Sequence, residues 1–125
     1  MNIDMDKFRQ IANNRFSFTR NIRFLDAKFR IDMGDLSYLL TINDDQIQKW
    51  EKASPETSAD FWISAPKETW EKTLQKIPEP FYHGILGMNA HHGLEMSNDN
   101  LARAYYPMLE DVILIMREVV NGGVK

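Results

Sequence analysis

Histidines, serines and paired carboxylates are the side chains of this 125-residue chain that could carry chemistry. His91 and His92 are adjacent, and His83 lies a short way upstream. Neighbouring side chains point to opposite faces of a strand and diverge by about 100° on a helix, so this pair does not converge on one metal ion. The three rings read as surface or rim histidines, or as one ring at a pocket mouth. Ser17, Ser37, Ser54, Ser58, Ser64 and Ser97 lack the G-x-S-x-G context of an elbow nucleophile. No glycine-rich phosphate loop is present; Gly84 and Gly87 sit among Tyr, Ile and Leu, which speaks for close packing. Asp26 and Asp32 would stand about 20 Å apart along an extended strand, too far for an acid/base pair. Asp44-Asp45 suit a turn, and of Glu110-Asp111 at least one belongs on the solvated face of a helix. Cysteine is absent, which excludes disulfides, thiolate nucleophiles and Cys-held metals. No catalytic residue, metal site or cofactor is indicated.

With the chemical options thinned, composition carries more weight. Fifteen basic against eighteen acidic residues give a formal charge of -3, which argues against a general nucleic-acid binder. The exception is local: Arg15, Arg20, Arg23, Lys28 and Arg30 interleave with Phe16, Phe18, Phe24 and Phe29. Strand parity would send those aromatics inward and the cations outward; attraction to an acidic surface is the functional alternative, giving transient membrane-surface contact. No apolar run is long enough to span a bilayer, and the acidic start is unlike a signal peptide, so a cytoplasmic protein is expected. Seven Phe, seven Met, four Tyr and three Trp are many large side chains for this length. They either fill a core or line an adaptable apolar pocket.

The elements that must position these residues follow from period and punctuation. Asp4 or Asp6 caps a helix through Asn14, with Phe8, Ile11 and Ala12 on one face. Phe16 to Asn21 reads as a link. A strand runs over Ala27–Ile31, with Lys28, Arg30 and Asp32 facing water. After a Met33-Gly34-Asp35 turn, Leu36–Ile42 is a second strand covered on both sides over part of its length. Asn43-Asp44-Asp45 turns it into Gln46–Lys52, where Trp50 breaks parity and suggests a bulge or a frayed end. Ala53–Ala59 is a loop, and Phe61-Trp62-Ile63 centres a further strand. Pro66 opens a helix with Trp70, Thr73 and Leu74 buried, Ile77 near its end and a Glu68–Lys72 pair on its surface. Pro78-Glu79-Pro80 stops it; Phe81–Met88 is a short helix and Leu94–Ser97 a short strand. A last helix runs from Leu101 to Val120, kinked by Pro107 or divided there into two helices, with Met108, Leu109 and Met116 on its apolar face.

This order resembles a known family. Tyr38-Leu39-Leu40-Thr41-Ile42-Asn43-Asp44-Asp45-Gln46-Ile47 is similar to the hairpin of sterol carrier protein 2-like domains. Asp60 through Leu74 is similar to their strand followed by a Trp-containing helix, and Gly93-Leu94-Glu95-Met96-Ser97-Asn98-Asp99 resembles their last strand. The similarity spans about Ala27 to Val119. Departures are Asp45 and Asn98, which stand where the family favours glycine, a bulky Phe81–His92 segment, and no terminal peroxisomal Ser-Lys-Leu. The resemblance implies an α+β domain over residues 1–125, a five-stranded, largely antiparallel sheet covered by helices, with residues 1–21 a helical extension. It also implies a non-catalytic binder or carrier of a lipid or other apolar small molecule, held between sheet and helices. Carried over by position, the tunnel involves Trp62, Trp70, Leu74, Phe81, Leu86, Met88, Leu94, Met96, Tyr105, Met108, Leu109 and Met116; Tyr82 is a polar group for its mouth. The alternatives are a cavity-less module that meets a protein partner or a second copy, and then an enzyme on a hydrophobic substrate.

Overall fold

The computed structural model describes residues 3–80, 82, 84–97, 100 and 104–122, with Leu86 described by its backbone alone. Phe81, His83, Asn98, Asp99 and residues 101–103 lie outside the described residues, and with them the start of the last helix read from the sequence.

Asp4 caps α1 (Met5–Asn13), its carboxylate accepting from the Lys7 N–H at 3.1 Å. Phe16–Asn21, read as a link, is a helix, α2, with Phe18 buried. Six residues are too few to display an amphipathic period. β1 (Ala27–Met33) and β2 (Leu36–Asn43) pair antiparallel, and β2 pairs with β3 (Gln46–Ala53) through a turn in which Asp44 and Asp45 both take left-handed angles. Of the bulge and the frayed end, the bulge is present: Ile42 pairs with Ile47 but Thr41 with Lys49, so Gln48 is the extra residue. β4 (Phe61–Ala65) returns parallel to β1, and the two-residue β5 (Glu95–Met96) pairs antiparallel with β4. The sheet is therefore mixed, in the order β3-β2-β1-β4-β5, and the α+β reading holds.

Pro66 precedes α3 (Lys67–Thr73), whose surface pair is Lys67–Glu71 at 4.0 Å, one register off the expected Glu68–Lys72. Ile77 lies beyond this shorter helix, exposed. The short helix expected over Phe81–Met88 is α4 (Ile85–His91), so Asn89 to His91 are helical rather than loop. α5 (Tyr106–Val120) has Pro107 in its first turn, where a missing N–H costs nothing, so of the two readings Pro107 marks a helix boundary and not a kink.

Strand parity assigns the faces. Phe29, Ile31, Met33, Tyr38, Leu40, Ile42, Phe61 and Ile63 share the face against the helices and are all buried. Met5 and Phe8 of α1, Phe18 of α2, and Met108, Leu109, Val112 and Met116 of α5 join them in one core. Arg15 ties the N-terminal helices to α5 through a 2.7 Å bond to Glu118, which raises the guanidinium pKa. α1 lies beside the edge strand β3: the Asn13 amide both donates to the Ile47 carbonyl (3.0 Å) and accepts from the Ile47 N–H (2.8 Å), and Arg9 donates to the Gln48 carbonyl.

The opposite face departs from expectation. Arg30 and Asp32, expected in water, are 6% and 3% exposed. Arg30 Nε lies 2.9 Å and NH2 3.0 Å from the Asp32 carboxylate, which also accepts from the Ser37 hydroxyl at 2.7 Å. The β3–β4 loop folds over the pair, the Thr57 carbonyl accepting from Arg30, and the Trp62 ring lies 5.3 Å from the guanidinium. Parity chose the face correctly; the loop, not the strand, decided burial.

Candidate ligand-binding site

The apolar layer between sheet and α3, α4 and α5 gathers most of the residues assigned to a tunnel. Trp70, Leu74, Met88, Leu94, Met108, Leu109 and Met116 are buried in the one core, and Met96 and Tyr105 pack against it. Trp70 is fixed by its ring N–H, which donates 2.9 Å to the Asp32 carbonyl at the end of β1. Tyr105 continues an aromatic stack across the layer, 6.5 Å from Phe61, which lies 4.6 Å from Phe29. Trp62 is not brought there: its register partner is Arg30, and it sits half-buried on the other face of the sheet. Phe81 and the side chain of Leu86 fall outside the described residues.

Tyr82 stands off the core, stacked on His92 with ring centroids 3.6 Å apart and the Lys72 ammonium 5.7 Å from its ring. His91 is exposed and His92 half-buried. Among the described residues no three His, Asp or Glu side chains group as a metal site.

Glu110 organises the mouth of the layer. Its carboxylate accepts from the Ile85 N–H at 3.2 Å, capping α4; a Cβ on Gly84 would stand 2.6 Å from Oε1, so a side chain there would push the carboxylate out of this position. Tyr106 donates to the same carboxylate, and burial together with that bond pushes the phenol up to about 12. Arg117 donates to the Thr73 carbonyl at 3.0 Å, its pKa lowered by burial. These groups had no legible motif, because each meets its partner across distant segments. Glu110 does carry one sequence signal, since it falls one helical turn after Tyr106.

Three buried polar atoms have no hydrogen-bond partner among the described residues: the Thr73 hydroxyl, His92 Nε2 and Asp111 Oδ2 of α5. The first two belong to one neighbourhood, because Thr69, one turn before Thr73 on α3, donates to the His92 carbonyl at 2.9 Å. One open cavity, of about 220 Å³, lies at the α3 end of this layer, lined by Met33, Asp35, Leu36 and Lys67, and larger ones lie away from it. One of about 790 Å³ runs between α1 and β3, and one of about 320 Å³ lies on the outer face beside Asp32, Ser64 and Glu95.

The layout of these elements has a counterpart among solved structures. A crystal structure of sterol carrier protein 2 superposes with a TM-score of 0.73 at 17% identity, over 91% of this chain and 93% of that one. The chain has the fold of sterol carrier protein 2. A conserved hypothetical protein of Thermus thermophilus, described as possibly a sterol carrier protein, matches with a TM-score of 0.69 at 15% identity, over 90% of this chain and 83% of that one. The apo form of sterol carrier protein 2 from Yarrowia lipolytica matches with a TM-score of 0.55 at 14% identity, over 90% and 88% of the two chains. No family model and no curated protein matches by sequence. The sterol carrier protein 2-like resemblance read from the sequence thus holds at the level of the fold. The two expected family glycines fare differently: Asp45 adopts the left-handed angle required of it, φ 62°, while Asn98 is outside the described residues.

Proposed function

We propose that this protein holds an apolar small molecule or lipid chain between its sheet and α3, α4 and α5, and carries it without transforming it. The reading rests chiefly on the sterol carrier protein 2 fold, with the Met-rich layer where such a ligand would lie. Met88, Met108 and Met116 are unbranched and polarizable, so they can repack around a guest that rigid residues would refuse. Each CH2 removed from water contributes about 0.8 kcal/mol, so a ten-carbon chain gains about 8 kcal/mol before the losses of association. The Thr73 hydroxyl and His92 Nε2 are the polar atoms offered to a ligand's head group.

Native mass spectrometry of the freshly purified protein, followed by solvent extraction, tests this reading. A stoichiometric apolar adduct, or uptake from a panel of fatty acids and sterols, is the expected result. A ligand-free mass with no uptake overturns it; if that species is also dimeric, the module that meets a second copy takes its place.

A further inference from the structure

The end of α5 holds the end of α3. The last carbonyls of a helix have no partner within it, and α5 supplies two of those that α3 needs. Arg117 Nε donates to the Thr73 carbonyl at 3.0 Å, and the Asn121 side-chain amide donates to the Leu74 carbonyl at 2.8 Å. The same amide nitrogen donates to the Arg117 carbonyl, one turn back in α5, also at 2.8 Å, so both of its hydrogens are engaged. Asn121 is thus a latch between two helices that flank the apolar layer.

The latch is chemically labile. Asn121 is the C-cap of α5, exposed, and of all the asparagines in the chain it alone precedes a glycine. Gly122 brings no Cβ to shield its backbone nitrogen, and its surroundings are open, since a Cβ built there would meet nothing within 4 Å. We propose that Asn121 is a site of spontaneous deamidation, and that the reaction unlocks α3 from α5. The Gly122 nitrogen attacks Asn121 Cγ; the new N–C bond closes a five-membered succinimide as the Cγ–Nδ2 bond breaks, and ammonia leaves with the proton that the nitrogen gave up. Water then adds to one of the two ring carbonyls and opens the ring, leaving aspartate or its isoaspartyl isomer at position 121. Water is the only co-reactant.

Ring closure requires Asn121 to leave its near-helical ψ of 27° and to give up both side-chain hydrogen bonds. The folded protein therefore reacts only when the last turn of α5 opens, which makes the site a clock set by local opening. The product does not relatch. A carboxylate has no hydrogen to donate, and here it faces the Leu74 and Arg117 carbonyls at the negative ends of two helices. A pairing with the Arg117 guanidinium, four residues earlier, would draw that group off the Thr73 carbonyl. Either way the end of α3 loses a donor. The reaction needs no bound ligand, so it stands apart from the carrier reading.

Incubation of the folded protein at neutral pH, followed by intact mass and peptide mapping, tests the site, with a synthetic peptide of residues 116–125 as the unlatched reference. The expected result is a gain of about one dalton that maps to Asn121 before any other asparagine. Its rate should be roughly 30-fold below that of the peptide, the factor set by two hydrogen bonds that must open first. Gly122→Ala shields the nucleophile and should react more slowly than wild type, even though its left-handed φ of 93° strains an alanine and loosens the turn. Asn121→Asp makes the aspartyl product directly, and hydrogen exchange at its Leu74 and Gln75 amides should be about 10-fold faster than in wild type. Earlier modification of another asparagine overturns the site, as does a rate more than about 1,000-fold below that of the peptide, or a Gly122→Ala variant that reacts as fast as wild type. A folded protein that reacts as fast as the peptide, or unchanged exchange in Asn121→Asp, overturns the latch.

Discussion

Removing the Asp32 carboxylate should cost far more stability than its place on the outer face of a sheet would imply. Asp32→Ala strips Arg30 of all its bonds to that carboxylate and leaves the Ser37 hydroxyl without its acceptor. Arg30 remains buried, with the Thr57 carbonyl and the Trp62 ring as its remaining contacts. A buried charge left alone in this way costs about 3–5 kcal/mol, and the orphaned hydroxyl adds to it. Against a domain stability of about 5–15 kcal/mol, the variant sits near its unfolding limit. Urea unfolding followed by fluorescence should move its midpoint down by roughly 2 M, taking a slope of about 2 kcal/mol per M. The companion is the triple variant Arg30→Met, Asp32→Leu, Ser37→Ala, which removes every member of the network together. Since an ion pair and apolar residues of similar volume are close in net contribution, the triple variant should recover to within about 1 kcal/mol of wild type. A single variant that loses less than about 1 kcal/mol, or a triple variant less stable than the single, would refute the reasoning.

Asn13→Ala removes both bonds to the Ile47 backbone and should cost about 1–3 kcal/mol, read most directly as faster hydrogen exchange at the Ile47 amide. Tyr106 should be slow to ionise in an ultraviolet titration, because its pKa is raised from 10 to about 12 in the folded protein. Its neutral form therefore contributes stability that is complete below pH 10 and lost as pH rises towards 12, and Tyr106→Phe should flatten stability across that window. Met116→Ala, at a fully buried position of α5, should lower stability by about 2–5 kcal/mol and, on the carrier reading, increase uptake of a bulky sterol; a loss of both would count against that reading.

What could be read in advance divides along a physical line. The strands and turn of the β2–β3 hairpin were legible, because alternation and left-handed Asp residues act locally, while the break in parity at Trp50 left a bulge and a frayed end both open. Burial of Arg30 and Asp32 was not, because it depends on a loop that returns from residues 54–60, and strand parity says which face a residue takes but nothing about what covers that face. The same limit misplaced Trp62, whose apolar ring suggested the inner layer while its register with Arg30 puts it on the outer one. Pro107 offered two readings, a kink or a boundary between two helices, and the choice turned on where the preceding backbone bends. Of the site, the Met and Leu positions of α5 followed from helical spacing. The capping of α4 by Glu110 did not, since it joins segments 25 residues apart through one carboxylate.

The Asn13 amide matters also for what it prevents. β3 is a terminal strand of the sheet, and such strands recruit other chains through their free N–H and C=O groups. At Ile47 both groups are already occupied, and Arg9 takes the next carbonyl. α1 thus works as a gatekeeper against self-association. Detachment of this nine-residue helix, a local opening far smaller than global unfolding, would bare a β-edge to a second molecule. Shelf life at high concentration is then governed by how often α1 lifts, so a preparation could aggregate while its melting temperature still looked sound.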